Sequence, residues 1–257
     1  MKIFVTGGTG YIGSHTVVEL QKNGYDVIIA DNLVNSSMDV LDGIEKISGI
    51  RPEFEEIDLT DGEVTRDFFA RHSDIRAVIH FAALKAVGES VNKPLEYYFN
   101  NLNSLMNVLT CMREFKVPNL VFSSSCTVYG QADVLPVTEK TPRHEAESPY
   151  GNTKVMSEDI IRDLMRVEPD MKALALRYFN PIGAHPTAFI GELPNGLPNN
   201  LIPYLTQTAI GIREQLSVFG DDYNTPDGSP LRDYIDVVDL AQAHVVAIRR
   251  LLEGKNK

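Results

Sequence analysis

Short apolar runs alternate with longer stretches of helical spacing along most of the chain. Lys2–Thr6 opens the series, and Asp26–Ala30, Glu53–Ile57, Ala77–Phe81, Leu120–Ser124 and Ala173–Tyr178 follow, each five or six residues long. Runs of this length, bounded by polar or glycine positions, read as buried strands. Between them, Ile12–Lys22, Thr60–Ala70, Leu95–Phe115 and Pro149–Val167 repeat apolar residues at the spacing of one helix face. Gly24 is a stop signal after the first of these, and Ser148-Pro149 supplies a cap and a first-turn proline for the last. The alternation predicts an α/β fold, a Rossmann-type doubly wound parallel sheet with helices on both faces.

The texture changes after Tyr178. Phe179–Gly196 is rich in proline and glycine and has little periodicity. A helix is expected from about Pro198 to Gly211, a short strand at Ser217–Gly220, a loop over Asp221–Pro230, a closing helix at Val237–Leu252 and a polar tail at Glu253–Lys257. Residues 1–178 are therefore expected to form the sheet domain. Residues 179–257 are expected to form a smaller region, interleaved with it, that covers a ligand.

Composition narrows the function classes. Of 257 residues, 43% are apolar and 23% charged, as in an ordinary globular chain long enough for a sizeable core. The formal net charge of -11, with no offsetting lysine/arginine run, argues against a nucleic-acid partner. Two cysteines, Cys111 and Cys126, form no C-x-x-C pair, so neither a metal site nor a disulfide framework is expected. No signal peptide and no membrane-length apolar run is seen, so a cytoplasmic location is the expectation.

The first strand runs into Thr6-Gly7-Gly8-Thr9-Gly10-Tyr11-Ile12-Gly13, with glycines spaced G-x-x-G-x-x-G before a helix. Such a loop turns tightly, brings backbone N–H groups close to a pyrophosphate, and aims a positive helix end at it. Asp31 closes the second strand, where a carboxylate can accept from an adenosine ribose diol and would repel a 2′-phosphate; this favours NAD over NADP. Asp58, after the third strand, is placed either to reach the adenine edge or to cap the next helix.

Tyr150-Gly151-Asn152-Thr153-Lys154 sets a tyrosine and a lysine one turn apart near a helix start. Helix end and ammonium should both favour the phenolate, lower the tyrosine pKa, and make Tyr150 a general base. Ser123-Ser124-Ser125 ends the strand Leu120–Ser124 and faces the same crevice. A serine beside such a Tyr/Lys helix suits hydride-transfer chemistry on an alcohol.

With these motifs in place, the chain resembles the extended short-chain dehydrogenase/reductase superfamily. Within it, it looks like the UDP-glucose 4-epimerase family. The resemblance rests on Gly7–Gly13 with His15, on Asp31–Ser36 reading DNLVNS, and on Phe81–Ser90 reading FAALKAVGES with Pro94–Tyr98 reading PLEYY. Ser123–Gly130 (SSSCTVYG), Ser148–Lys154, Arg177–Pro181 (RYFNP) and Pro198–Leu201 (PNNL) complete it. It implies interconversion of UDP-galactose and UDP-glucose through a transient 4-keto sugar, with tightly bound NAD and a homodimer. It further implies that Gly7, Gly10, Tyr11, Ile12, Gly13, Asp31, Asn32, Asn35, Ser36, Asp58, Leu59, Phe81, Ala82, Lys85, Asn100 and Phe179 surround the cofactor, together with Ser125, Tyr150 and Lys154. Tyr150, Lys154 and Ser125 would be catalytic. Asn180, Asn200, Leu201, Val218, Phe219 and Arg232, with Lys85, Ser125 and Tyr150, would hold the UDP-sugar. Family members run on beyond the position of Lys257, so the sugar-side lid is expected to be incomplete and the activity of these residues alone stays open. A 4,6-dehydratase is the nearest alternative, but Cys126-Thr127-Val128 offers no acid beside the serine. A non-catalytic NAD-binding protein is the alternative from another class.

Overall fold

The structure is a computed structural model that describes residues Met1–Lys255; Asn256 and Lys257 of the expected polar tail lie outside the described residues. Its strands are β1 (Lys2–Thr6), β2 (Asp26–Asp31), β3 (Glu53–Glu56), β4 (Ile75–His80), β5 (Asn119–Ser123) and β6 (Lys172–Leu176). They pair in parallel as one sheet in the order β3-β2-β1-β4-β5-β6. The order reverses beside β1, and this switch point opens a crevice beyond the carboxyl ends of the strands, where ligands bind in open α/β sheets.

Alternating side chains send Phe4, Ile28, Val78 and Phe122 to one face. There they meet Phe68, Leu105, Met112 and Ile161 from α3 (Gly62–Arg71), α5 (Pro94–Glu114) and α6 (Pro149–Val167). Ile3, Val5, Ile29, Ile79 and Val121 point the other way, onto Val17, Leu20, Ile44 and Ile248 of α1 (Tyr11–Lys22), α2 (Asp39–Ser48) and α8 (Val237–Leu252). Burial on both faces is why β1, β2, β4 and β5 read as nearly continuous apolar runs, whereas β3 at the sheet's edge reads EFEE. The last helix, α8, thus belongs to the body of the main sheet although it follows the irregular region in sequence.

The irregular region differs from expectation in two places. Phe179–Gly196, read as a loop, contains β7 (Asn180–Ile182), which pairs in parallel with β8 (Tyr234–Asp236) as a separate two-stranded sheet. The strand expected at Ser217–Gly220 does not form, and Val218 and Phe219 are 81% and 92% exposed. A strand needs a neighbour for its N–H and C=O groups, and a short apolar pair that finds none stays irregular. The helix α7 spans Leu201–Ala209, and α4 (Val87–Asn92) precedes α5. Among the described residues, no helix is long and apolar enough to cross a membrane, and no His/Cys/Asp/Glu group is arranged to hold a metal ion.

Candidate active site

The glycine loop leaves β1 through Gly7, whose φ of 67° is in the left-handed region and whose N–H donates to the Ala30 carbonyl at 2.8 Å. A Cβ on Gly13 would stand 2.3 Å from the Gly7 carbonyl oxygen, so α1 packs on the loop at a distance that no other residue permits. Helix α1 starts after Gly10 with no side-chain cap and no acidic residue in its first turn. Its free N–H groups and positive end are therefore open to an anion.

Asp31 is tied to this loop. Its carboxylate accepts from the N–H of Leu33 at 3.0 Å, the Ser36 hydroxyl at 3.4 Å and the Thr9 N–H at 3.3 Å. Ser36 in turn shares a 2.7 Å hydrogen bond with the Thr9 hydroxyl. Asn32 accepts from the Val34 N–H at 3.3 Å, and Asn35 is exposed. Asp58 is exposed and accepts from both the N–H and hydroxyl of Thr60, at 2.9 and 2.8 Å. The cap of α3 is Asp61 instead, accepting from Glu63 and Val64; of the two roles considered for Asp58, capping is thereby taken by its neighbour. Leu59 is buried in the core, Ile12 is half-buried, and the Tyr11 hydroxyl donates to the Gly183 carbonyl at 2.7 Å.

Thr6 locks the other wall. Its buried hydroxyl oxygen accepts from the N–H groups of Phe81 and Ala82, each at 3.1 Å, and pairs with His80 Nδ1 at 3.0 Å. Burial pushes the His80 imidazole down to about 3, so it stays neutral. The loop after β4 is thereby held against Gly7. Lys85, on the same loop, is exposed and faces the Glu192 carboxylate at 3.5 Å.

The chemistry-bearing side chains come from β5 and α6. Ser148 caps α6 by accepting from the Gly151 N–H at 3.1 Å, and Pro149 occupies the first turn, as the sequence predicts. Lys154 is buried. Its Nζ donates to the Ser123 carbonyl at 2.8 Å and lies 5.0 Å from the Phe122 ring centroid and 5.8 Å from that of Tyr150. Burial lowers the lysine to about 8. An ammonium carries three N–H donors; only the Ser123 carbonyl accepts one among the described residues, so the side chain can still serve a ligand hydroxyl.

Tyr150 corrects the expectation drawn from spacing. Burial pushes its phenol up to about 12, with a hydrogen bond from the Ser125 hydroxyl pulling partly the other way. The reason is geometric: the Lys154 ammonium bonds the Ser123 carbonyl rather than the phenol, and desolvation of the phenolate then dominates. Cys126 is half-buried and its thiol is raised by burial, consistent with a small apolar filler rather than a nucleophile.

Two supporting side chains were not anticipated. The Tyr178 phenol hydrogen-bonds the Ser123 hydroxyl. Glu158, half-buried with its side chain 8% exposed, accepts from the Ser124 hydroxyl at 2.6 Å and from Arg177 through two N–H groups at 2.8 and 2.6 Å. Glu158 continues the four-residue series Tyr150, Lys154 along α6, which is the signal that could have found it.

The sugar-side candidates are more open. Asn180 donates to the Asp233 carbonyl at 2.9 Å, and Arg232 is exposed and donates to the Leu231 carbonyl at 2.8 Å. Asn200 donates to Glu192 at 2.6 Å, so one carboxylate links it with Lys85. Leu201, Val218 and Phe219 stand exposed, and Phe179 is half-buried.

The residues fit a dinucleotide: an uncapped helix end behind a glycine turn for the pyrophosphate, a fixed carboxylate at the end of β2 for the ribose, and a buried ammonium with donors to spare. The NAD dependent epimerase/dehydratase family matches over residues 3–257, and the chain belongs to that family. It is 53% identical to UDP-glucose 4-epimerase of Bacillus subtilis over 254 residues, covering 99% of this chain and 74% of the relative. It is also 53% identical to the bifunctional protein GAL10 of Pachysolen tannophilus over 258 residues, covering 99% of this chain but only 37% of that longer protein. Among solved structures, UDP-glucose 4-epimerase from Bifidobacterium longum in complex with NAD+ and UDP superposes with a TM-score of 0.95 at 47% identity, covering 97% of this chain and 74% of that one.

Proposed function

We propose that this chain carries the active site of a UDP-glucose 4-epimerase. The observation that supports it most is the convergence of Ser125, Tyr150 and Lys154 on a crevice walled by the glycine loop and Asp31. NAD, when bound, supplies a reversible hydride acceptor for the sugar C4 and a positive charge in the crevice. The protein supplies the rest. Tyr150 takes the proton of the sugar 4-OH as that carbon is oxidised, and returns one when it is reduced from the opposite face. Ser125 holds the reacting hydroxyl through its own hydroxyl, and Lys154 stabilises the phenolate and holds the nicotinamide ribose. Asp31, Ser36 and the start of α1 would hold the adenosine half. Asn180, Asn200 and Arg232 would hold the UDP-sugar, a guanidinium being suited to a diphosphate. Residues 180–232 act on this reading as the lid over the sugar.

A raised phenol pKa is compatible with this role, because the positive charge of bound NAD would favour the phenolate, beside an ammonium 5.8 Å from the ring. Leu95, Phe99 and Met106 leave α5 with large apolar side chains 81%, 64% and 44% exposed, and we place the homodimer contact there, in a cytoplasmic enzyme. The function is tested by incubating the NAD-loaded protein with UDP-galactose and assaying UDP-glucose. Conversion supports the reading; bound NAD without conversion sinks it in favour of a non-catalytic NAD-binding protein.

A further inference from the structure

We propose that Glu192 is a positioning residue of the reaction, a carboxylate that fixes which end of the Asn200 amide is offered to the UDP-sugar and ties that amide to Lys85. The inference rests on the epimerase reading above.

Residues 183–192 open the sugar-side region, yet they are fastened to the sheet domain. The Tyr11 hydroxyl donates to the Gly183 carbonyl at 2.7 Å, and Lys22 Nζ stands 3.2 Å from His185 Nε2. The His185 N–H donates to the Ile190 carbonyl at 3.1 Å, which folds the stretch back on itself. Ile190 is 4% exposed and belongs to the apolar cluster shared by α1 and α2. Gly43 of α2 lies so close under this stretch that a Cβ there would stand 2.5 Å from the Phe189 carbonyl oxygen. Glu192 is therefore delivered by a fixed element, two residues beyond a core anchor. A side chain carried on such structure is placed more precisely than one on a free loop.

The Glu192 side chain is 11% exposed. One of its oxygens, Oε1, accepts from Asn200 Nδ2 at 2.6 Å and faces Lys85 Nζ at 3.5 Å. A carboxylate so enclosed is costly unless it is paired. Its side-chain partners among the described residues are two candidate ligand contacts, one from each side of the crevice.

Asn200 shows that this pairing overrides a local preference. It is the N-cap of α7, with an extended backbone, and its carbonyl accepts the first helical bond from the Tyr204 N–H. Asparagine is a favoured cap because its side-chain oxygen accepts from an N–H of the first turn. Here no such bond forms, and Nδ2 is drawn to Glu192 instead. An ionised carboxylate only accepts, so the amide has to turn its nitrogen towards it. Oδ1 is left without a protein partner among the described residues. What Asn200 offers a ligand is thus an acceptor, set for a hydroxyl or N–H of the UDP-sugar. Without Glu192 the amide is free to turn either way, or to swing back onto the helix end.

The test uses the full chain, purified with NAD, as Glu192→Ala, Glu192→Gln, Asn200→Ala and the double variant Glu192→Ala/Asn200→Ala. Glu192→Ala should raise KM for UDP-galactose by about ten- to thirtyfold, with kcat within about threefold and NAD retained. Glu192→Gln, which keeps the volume and covers the case in which Glu192→Ala fails to fold, should raise KM by about three- to tenfold. The double variant should fall well short of the product of the two single effects, because Glu192 acts through Asn200. Tm separates positioning from support: with Asn200 released to cap α7, Glu192→Ala should melt no lower than the unmodified protein. A lowered Tm with KM of the folded enzyme unchanged would overturn the proposal, as would single effects that multiply in full. Calorimetric titration of the NAD-loaded proteins with UDP-galactose gives the same comparison without turnover. If the unmodified chain binds UDP-galactose but does not convert it, the epimerase reading fails, and the ratio of its affinity to that of Glu192→Ala still decides for or against Glu192. If it does not bind UDP-galactose at all, both fall.

Discussion

The two sides of the crevice are built on different terms. On the cofactor side, Thr6, His80, Asp31, Ser36 and Lys154 are wired into backbone or into one another, and Glu158 into Ser124 and Arg177, by hydrogen bonds of 2.6 to 3.4 Å. On the sugar side, Leu201, Val218, Phe219 and Arg232 are exposed; Asn180 and Asn200 are tied to Asp233 and Glu192, and Tyr11 to Gly183 and Lys85 to Glu192 join this region to the cofactor side. The contrast separates two tasks. A cofactor that is reduced and reoxidised in place has to be held in one pose, which calls for a wall whose polar groups are fixed beforehand. A sugar that must present both faces needs a wall that adapts.

Substitutions can break that division. The largest effect should come from Tyr150→Phe, which keeps the packing and removes the proton acceptor: turnover should fall by about a thousandfold while NAD stays bound, as read by initial rates and by cofactor absorbance after gel filtration. Next is Gly13→Ala, whose Cβ would sit 2.3 Å from a carbonyl oxygen. Forcing α1 off the loop should cost about 2–3 kcal/mol in denaturant unfolding and release NAD. On the other wall, Arg232→Ala should raise KM for the UDP-sugar by about ten- to a hundredfold, with NAD retention and Tm unchanged. An equal loss of NAD in that variant would mean that the two walls are not independent.

The smallest effect sharpens the comparison from the side of stability. Lys154→Met should abolish turnover yet raise stability at pH 7 by about 1 kcal/mol, because the fold no longer buries an ammonium. The sign follows from the lowered lysine value. The folded state disfavours the charged form, so the gain is full below about 8 and shrinks as pH rises towards the ordinary lysine pKa of 10.5. A gain that does not change across this window would show that charge burial is not its cause.

Much of this architecture is legible in the sequence, and the failures have physical reasons. The central strands β1, β2, β4 and β5 are legible because a sheet covered on both faces admits few polar interruptions, so each announces itself as an apolar run. Helices α6 and α8 begin and end where expected, α6 because Ser148 and Pro149 mark its start. The strand expected at Ser217–Gly220 fails because pairing is a property of two segments, and β7 found β8 instead. The Tyr150 pKa departs from the expectation for a related reason. Spacing tells that Lys154 lies one turn away, but not that its ammonium bonds Ser123, nor that burial around the phenol outweighs it. The parts of Glu158 and Tyr178 are not legible in the sequence because each acts through partners distant in it.

The placement of α8 bears on how the molecule is made. Leu20 of the first helix and Ile248 of the last share one apolar cluster on the sheet, and the cluster includes Leu251. That face of the sheet cannot close until α8 has been synthesised, even though the glycine loop emerges first. Contacts of such sequence separation fold slowly, because loop closure precedes any gain from burial. They also turn the segment between Asn180 and Asp236 into a loop pinned at both ends to a single body. The nascent chain is therefore expected to expose the face of β1 and α1 until α8 has emerged, and to acquire a firm cofactor seat only then, in one cooperative event.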